Sequence, residues 1–186
     1  ESPGQHASLE VRPFPYGGFL LANVGACGGR SFAALESFFQ TVARDIFGFQ
    51  PQGSAFDRMK EIAAEPIAND TGLTCSPLFT GTRQDPTQRA SWSGFNPENF
   101  TPAHMTRSLL EGMANTFNQG FAAILSCGVQ GITEIVGAGN GIRENAILQQ
   151  CIEKSFNMQV RKPLHREEAT LGAAITAAIG CDILKD

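Results

Sequence analysis

Charge is scarce in this chain: 17% of its 186 residues are Asp, Glu, Lys or Arg, and 14 basic against 18 acidic side chains leave a net charge of −4. The basic residues are scattered. They form no positive stripe of the kind that binding to a phosphate backbone requires, which argues against a nucleic-acid partner. No apolar run approaches the ~20 residues that span a bilayer. The opening Glu1-Ser2-Pro3-Gly4 lacks the charged and apolar regions of an export signal. A cytoplasmic protein with no membrane partner is therefore expected. The five cysteines, Cys27, Cys75, Cys127, Cys151 and Cys181, are odd in number and never form a C-x-x-C pair, as expected of reduced thiols rather than a disulfide framework. His6, His104 and His165 have no Cys or His companion at ligand spacing, so no metal site is expected.

Apolar residues are present in ordinary measure, 42% of the chain, and a chain of this length can bury roughly two-thirds of its unfolded surface without metal or disulfide staples. Leu9-Glu10-Val11 and Phe19-Leu20-Leu21-Ala22 read as two short strands joined by a turn. From Gly28-Gly29 the period changes. Phe32, Leu35, Phe38, Phe39, Val42 and Ile46 recur at three and four residues, which predicts a helix burying one face until Gly48 stops it. A shorter helix over 56–64, with Ser54 as its cap, is expected to be peripheral. Residues 71–102 read as a long functional loop holding short strands. Thr101-Pro102 starts the principal core helix, whose face runs through Met105, Leu109, Met113, Phe117, Phe121 and Ile124 to a stop at Cys127-Gly128. The tail alternates strand 132–136, glycine loop 137–141, helix 144–156, strand 158–160 and an alanine-rich helix over about 167–179, an α/β layer architecture.

Two glycine turns sit where an apolar strand opens into a helix. One is Gly25-Ala26-Cys27-Gly28-Gly29; the other runs Gly137-Ala138-Gly139-Asn140-Gly141 and on to Asn145. Glycines there let backbone N–H groups approach an anion or a flat ring, and the helix start adds partial positive charge. A tight turn with no ligand gives the same local pattern. Two nucleotide motifs fail: G-x-G-x-x-G would need a small residue where Ile142 stands, and no G-x-x-x-x-G-K-[ST] occurs. A nucleotide site here belongs to another class.

Four segments, in order, carry a family resemblance. Ser76-Pro77-Leu78-Phe79-Thr80-Gly81-Thr82-Arg83 resembles the "SP-x-x-x-GER" segment of the FGGY carbohydrate kinases, and Thr106 to Ala114 resembles their "ARAVLEGVAF" helix. Gly137 to Gly141 resembles their adenine-side glycine loop, and Glu168 to Ala174 their closing "EGALGAA" helix. Within the family the "G-x-G-N-G-x-x-x-N" character of 137–145 is most similar to the kinases that phosphorylate sedoheptulose. One departure stands out: Gly81-Thr82-Arg83 lacks the acidic residue of "GER".

The resemblance implies an actin-like ATPase (ribonuclease H-like) α/β lobe, with residues 1–186 forming the C-terminal, ATP-side domain. The N-terminal lobe, with the catalytic base and most sugar contacts, is expected to lie outside the chain. Gly137, Gly139, Asn140 and Gly141 would lie against adenosine and phosphates, Asn145 would bond the adenine edge, and Gly28, Gly29 and Phe32 would close the other side. The implied reaction is transfer of the γ-phosphoryl group of ATP to a sugar, sedoheptulose first among candidates, with magnesium held through ATP. No catalytic or metal-ligating residue is assigned within the chain. Asp57, Asp85 and Glu111 are expected in surface or structural salt bridges, and Arg83 either in anchoring its own loop or in pairing with the other lobe. The alternatives are a kinase for xylulose, ribulose or glycerol, a non-catalytic actin-like nucleotide-binding or interaction module, and, more weakly, an acetate-kinase-like or hexokinase-like lobe.

Overall fold

The computed structural model describes residues 6–14, 17–24, 28–68 and 72–184. Gly25, Ala26 and Cys27, the first half of the earlier glycine turn, lie outside the described residues. Strands β1 (Glu10–Pro13) and β2 (Phe19–Ala22) pair antiparallel, with Val11 opposite Leu21. Helix α1 (Gly29–Phe47) ends at Gly48, whose φ of 63° is the left-handed conformation that closes a helix without a Cβ penalty. Its burial is narrower than its periodicity suggests. Ser31, Phe32 and Leu35 are buried and Phe39 packs partly buried against the core, whereas Phe38, Ile46 and Phe47 are exposed.

Helix α2 (Phe56–Ala64) is not peripheral: Met59 and Ala63, one turn apart, are 2% and 0% exposed, and the helix packs on the core. Its start also differs from expectation by one residue. Ala55 occupies the cap position, and the Ser54 hydroxyl accepts from the Phe56 N–H at 3.1 Å instead of capping deeper in the turn. A 3-10 turn, Pro66–Ala68, leads on to β3 (Thr74–Ser76), which pairs antiparallel with β4 (Ser91–Ser93) inside the long loop.

Helix α3 (Pro102–Ser126) is the axis of the fold. Thr101 caps it by accepting from the His104 N–H at 3.3 Å, with Pro102 at the first helical position where the missing donor costs nothing. Leu109 and Leu110 are fully buried, each worth about 1.5–3 kcal/mol of hydrophobic stabilisation. They meet Met113, Ala114, Phe32, Leu35, Met59, Ala63 and the α5 residues Ile147, Leu148, Cys151 and Ile152 in one core. Gly112 lets β3 approach: a Cβ there would stand 2.1 Å from the Cys75 carbonyl oxygen.

The tail is more broken than its sequence suggests. Strand β5 (Ile135–Val136) is two residues long and pairs parallel with β6 (Val160–Arg161). Between them, α4 (Asn140–Arg143) and α5 (Ala146–Phe156) are separate helices, because Asn145 takes up a cap conformation and its Oδ1 accepts from the Leu148 N–H at 3.0 Å. Helix α6 (Glu168–Gly180) is apolar around most of its circumference yet has no buried residue. The described strands thus form three two-stranded sheets, of which the β3–β4 pair packs on α3 through β3. Among the described residues, no helix is long and apolar enough to cross a membrane.

Candidate functional site

Gly28 and Gly29 of the earlier glycine turn and residues 138–141 of the later one, more than a hundred residues apart in sequence, line one cleft of about 570 Å³, within the range of small-molecule sites. One wall is Gly28, Gly29 and Phe32 at the start of α1; the other is Ala138, Gly139, Asn140, Gly141 and Ile142. Leu110, Met113 and Phe117 of α3 form an apolar floor, and Phe56 and Lys60 of α2 close one end. Seven of the eight residues singled out from the sequence line this cleft: Gly28, Gly29, Phe32, Gly139, Asn140, Gly141 and Asn145.

Gly137 is the exception and its role is corrected. It is buried, and a Cβ there would stand 2.7 Å from Val160 Cγ1 and 2.8 Å from Ile142 Cγ2, so it permits strand-to-helix packing and does not face the cleft. Gly139 has φ 86° and ψ 154°, a region that only glycine enters without strain. Gly28, Gly29 and Gly141 need neither excuse. Their φ values lie outside the left-handed region, and no described atom lies within 4 Å of an added Cβ. The fold itself does not require glycine at these three positions, and all three open onto the cleft.

The electrostatics suit an anion at one end. Gly28 is the cap residue of helix α1 and no side chain caps the helix; the Ser31 N–H bonds the Gly28 carbonyl at 2.9 Å, which leaves the N–H groups of Gly29 and Arg30 and the positive end of the dipole beside the cleft with no side-chain acceptor. Lys60 is the cation on the lining; it donates to the Glu144 carbonyl at 3.1 Å and pairs with Asp57 at 2.6 Å. Phe32 and Phe56 pack with ring centroids 5.5 Å apart and their planes tilted by 35°, an apolar surface beside the glycines. Asn145 is 6% exposed, and its Oδ1 is committed to capping α5, so what it can offer a ligand is its Nδ2 amide as a donor.

Sequence reasoning missed Lys60, Phe56 and the floor residues Leu110, Met113 and Phe117, which periodicity marks only as a helix surface. A second hollow, about 730 Å³, lies on the opposite face of α3 between β3 and the β1–β2 hairpin, but no glycine turn opens onto it from a helix start. Near it, the "GER" departure finds its account. Thr82 Oγ1 accepts from the Asp85 N–H at 3.0 Å, and Gly81, at φ 73° with Asp85 O 2.6 Å from a would-be Cβ, turns the chain. Arg83 is a hairpin anchor, paired with Glu10 on β1. Asp57 and Glu111 are in helical ion pairs with Lys60 and Arg107, as expected. Asp85 instead accepts from the Thr87 backbone and hydroxyl, which hold its carboxyl below the usual range. Among the described residues, no group of three His, Cys, Asp or Glu side chains could hold a metal ion. Cys75, Cys127, Cys151 and Cys181 form no disulfide among the described residues; Cys27 lies outside them.

Comparison with known proteins follows the same lines. The model for "FGGY family of carbohydrate kinases, C-terminal domain" matches residues 17–181. Human sedoheptulokinase is 23% identical over 176 residues, covering 94% of this chain and 34% of that protein. Among solved structures, gluconate kinase from Lactobacillus acidophilus superposes with a TM-score of 0.74 at 19% identity, over 97% of this chain and 35% of that one. Plasmodium falciparum glycerol kinase with ADP gives a TM-score of 0.60 at 24% identity, over 82% of this chain and 29% of that one. The chain spans about a third of the length of these relatives.

Proposed function

Because the chain belongs to the FGGY family of carbohydrate kinases, as its C-terminal domain, we propose that it is the nucleotide-side lobe of an enzyme that transfers the γ-phosphoryl group of ATP to a sugar hydroxyl. The observation that carries this reading is the cleft between the two glycine turns, where Gly28, Gly29 and Gly141 leave room that the fold does not need. In this reading the adenine lies on the apolar floor of Leu110, Met113 and Phe117, between Phe32 and Gly139 to Gly141, with the Asn145 amide donating to a ring nitrogen. The phosphates run to the start of α1, where uncapped N–H groups receive them. Lys60 closes the end of the cleft over the nucleotide.

These are binding and orienting roles, which accelerate transfer by holding the γ-phosphate in line with its acceptor. Magnesium, bound to the phosphate oxygens, would neutralise charge developing during transfer; no residue of this chain is assigned to hold it. The general base and most sugar contacts are assigned to an N-terminal lobe. Helix α6 supports such a partner, because a helix apolar around most of its circumference is ordinarily covered, and here Leu171 and Ile175 are exposed. The hairpin adds Val11, Phe19 and Leu20 to the exposed apolar surface.

Sedoheptulose is the proposed acceptor, supported by the human sedoheptulokinase that this chain matches over nearly its whole length. Kinases for gluconate and glycerol share the fold, so acceptor choice is read from activity. The test is ATP turnover by the chain joined to its N-terminal lobe with sedoheptulose, xylulose, ribulose, gluconate and glycerol. Turnover highest with sedoheptulose is expected. Preference for another polyol would replace the substrate, and nucleotide binding without turnover on any of them would point to a non-catalytic module.

A further inference from the structure

Arg143 is the last residue of α4, directly after the glycine loop, and its side chain turns away from the cleft. Its side chain is 12% exposed, and the two hydrogens of its Nη2 are shared among three acceptors: the Pro163 carbonyl at 3.1 Å, the His165 carbonyl at 2.6 Å and the Glu168 carboxylate at 2.5 Å. Its Nε is buried with no partner among the described residues. Both carbonyls belong to the segment between β6 and α6, and Glu168 is the first residue of α6. The same α4 turn is tied internally to Gly139, whose carbonyl accepts from the Ile142 and Arg143 N–H groups at 3.2 and 3.0 Å.

We infer that Arg143 and Glu168 form a latch that positions the nucleotide loop, fixing Gly139 to Gly141 against the cleft by tying α4 to the start of α6, and that nucleotide affinity depends on this pair although neither side chain lines the cleft. The inference rests on the nucleotide reading of that cleft. Three features carry it. Gly139 sits in a glycine-only conformation that surrounding structure must hold. An added Cβ at Gly139 or Gly141 would meet no described atom, so side-chain packing at those positions cannot fix the loop from the cleft side. Helix α6 has no buried residue, which makes the Arg143 contacts its principal tie to the loop. The backbone N–H of Glu168 and then the Arg143 guanidinium hold the Glu168 carboxyl below its usual range, which keeps it ionised as the partner of Arg143.

The test compares wild type, Arg143→Met, Arg143→Lys and Glu168→Gln in the two-lobe kinase, reading KM for ATP, KM for sugar, kcat and Tm. A positioning role predicts that Arg143→Met and Glu168→Gln raise the KM for ATP about tenfold while the KM for sugar is unchanged, with Arg143→Lys recovering part of the loss because it keeps the charge but not the fork. A merely structural role would lower Tm and the active fraction, hence kcat, with the KM for ATP unmoved, and that result overturns the proposal. If Arg143→Met fails to fold, the decision passes to Glu168→Gln, which is nearly isosteric. A wild-type kinase that neither binds nor turns over ATP would overturn the reading of the cleft and the latch with it.

Discussion

Replacing Gly141 by alanine should move stability and affinity in opposite directions. Gly141 is the second residue of α4, outside the left-handed region, and no described atom lies within 4 Å of the Cβ it would gain. Folding should therefore be unharmed, and exchanging glycine for alanine at a helical position stabilises by up to ~1 kcal/mol. For a protein of this size that is an increase in Tm of about 2–4 °C. The same methyl would project into the cleft. If the ligand lies against the loop backbone, making room for one methylene-sized group costs about 1–3 kcal/mol, and at 1.4 kcal/mol per tenfold the Kd for ATP weakens about 5- to 150-fold. Calorimetric titration of Mg-ATP beside a thermal melt reads both quantities on one sample. A folded Gly141→Ala protein with unchanged Kd would refute the argument that this glycine serves the ligand; a fall in Tm would refute the claim of open space. Gly139→Val is the poorer probe, because the φ of 86° at that position makes any side chain strained whatever the ligand does.

Other substitutions and conditions have equally definite outcomes. Gly112→Ala drives a Cβ to 2.1 Å from the Cys75 carbonyl and should destabilise by about 1–3 kcal/mol or more, seen as a lower denaturant midpoint. Glu168 is held below its ordinary 4.5, so its contribution is complete above that value and disappears as pH falls through the lower folded-state value. The Tm gap between wild type and Glu168→Gln should therefore close on acidification, and a gap that widens would contradict the sign. The Cys151 thiol is pushed up to about 11 by burial, whereas Cys181 is exposed. A disulfide reagent at mildly alkaline pH should accordingly modify Cys181 quickly and Cys151 only on unfolding, read by peptide mass mapping.

The sequence carried its clearest signals where backbone chemistry is local. Thr101-Pro102 announces α3 because the cap satisfies one orphan donor and the proline removes another, and Gly48 ends α1 because a left-handed residue must stand there. The glycine turns were legible as turns, but their division of labour was not. Gly137 serves Val160 and Ile142, Gly139 serves the backbone, and Gly141 serves open space, and only three-dimensional neighbours tell them apart. Helix α2 was misjudged as peripheral because nine residues show too few periods to reveal that Met59 and Ala63 enter the core, and Lys60 was missed with it. Periodicity likewise overstates α1: an apolar stripe marks a surface that wants a partner, and in this one Phe39 and Val42 are half-buried while Phe38 and Ile46 are exposed. The Arg143 latch had no sequence signal, since its acceptors are two backbone carbonyls and a carboxylate 20 to 25 residues away.

Titration of Mg-ATP into the 186-residue chain, and into the chain joined to its N-terminal lobe with and without sedoheptulose, tests the central claim most directly. The account predicts nucleotide binding that Gly141→Ala weakens, and ATP turnover that appears only with both lobes and a sugar present. Binding that is indifferent to Gly141, or no nucleotide binding in either form, would contradict it.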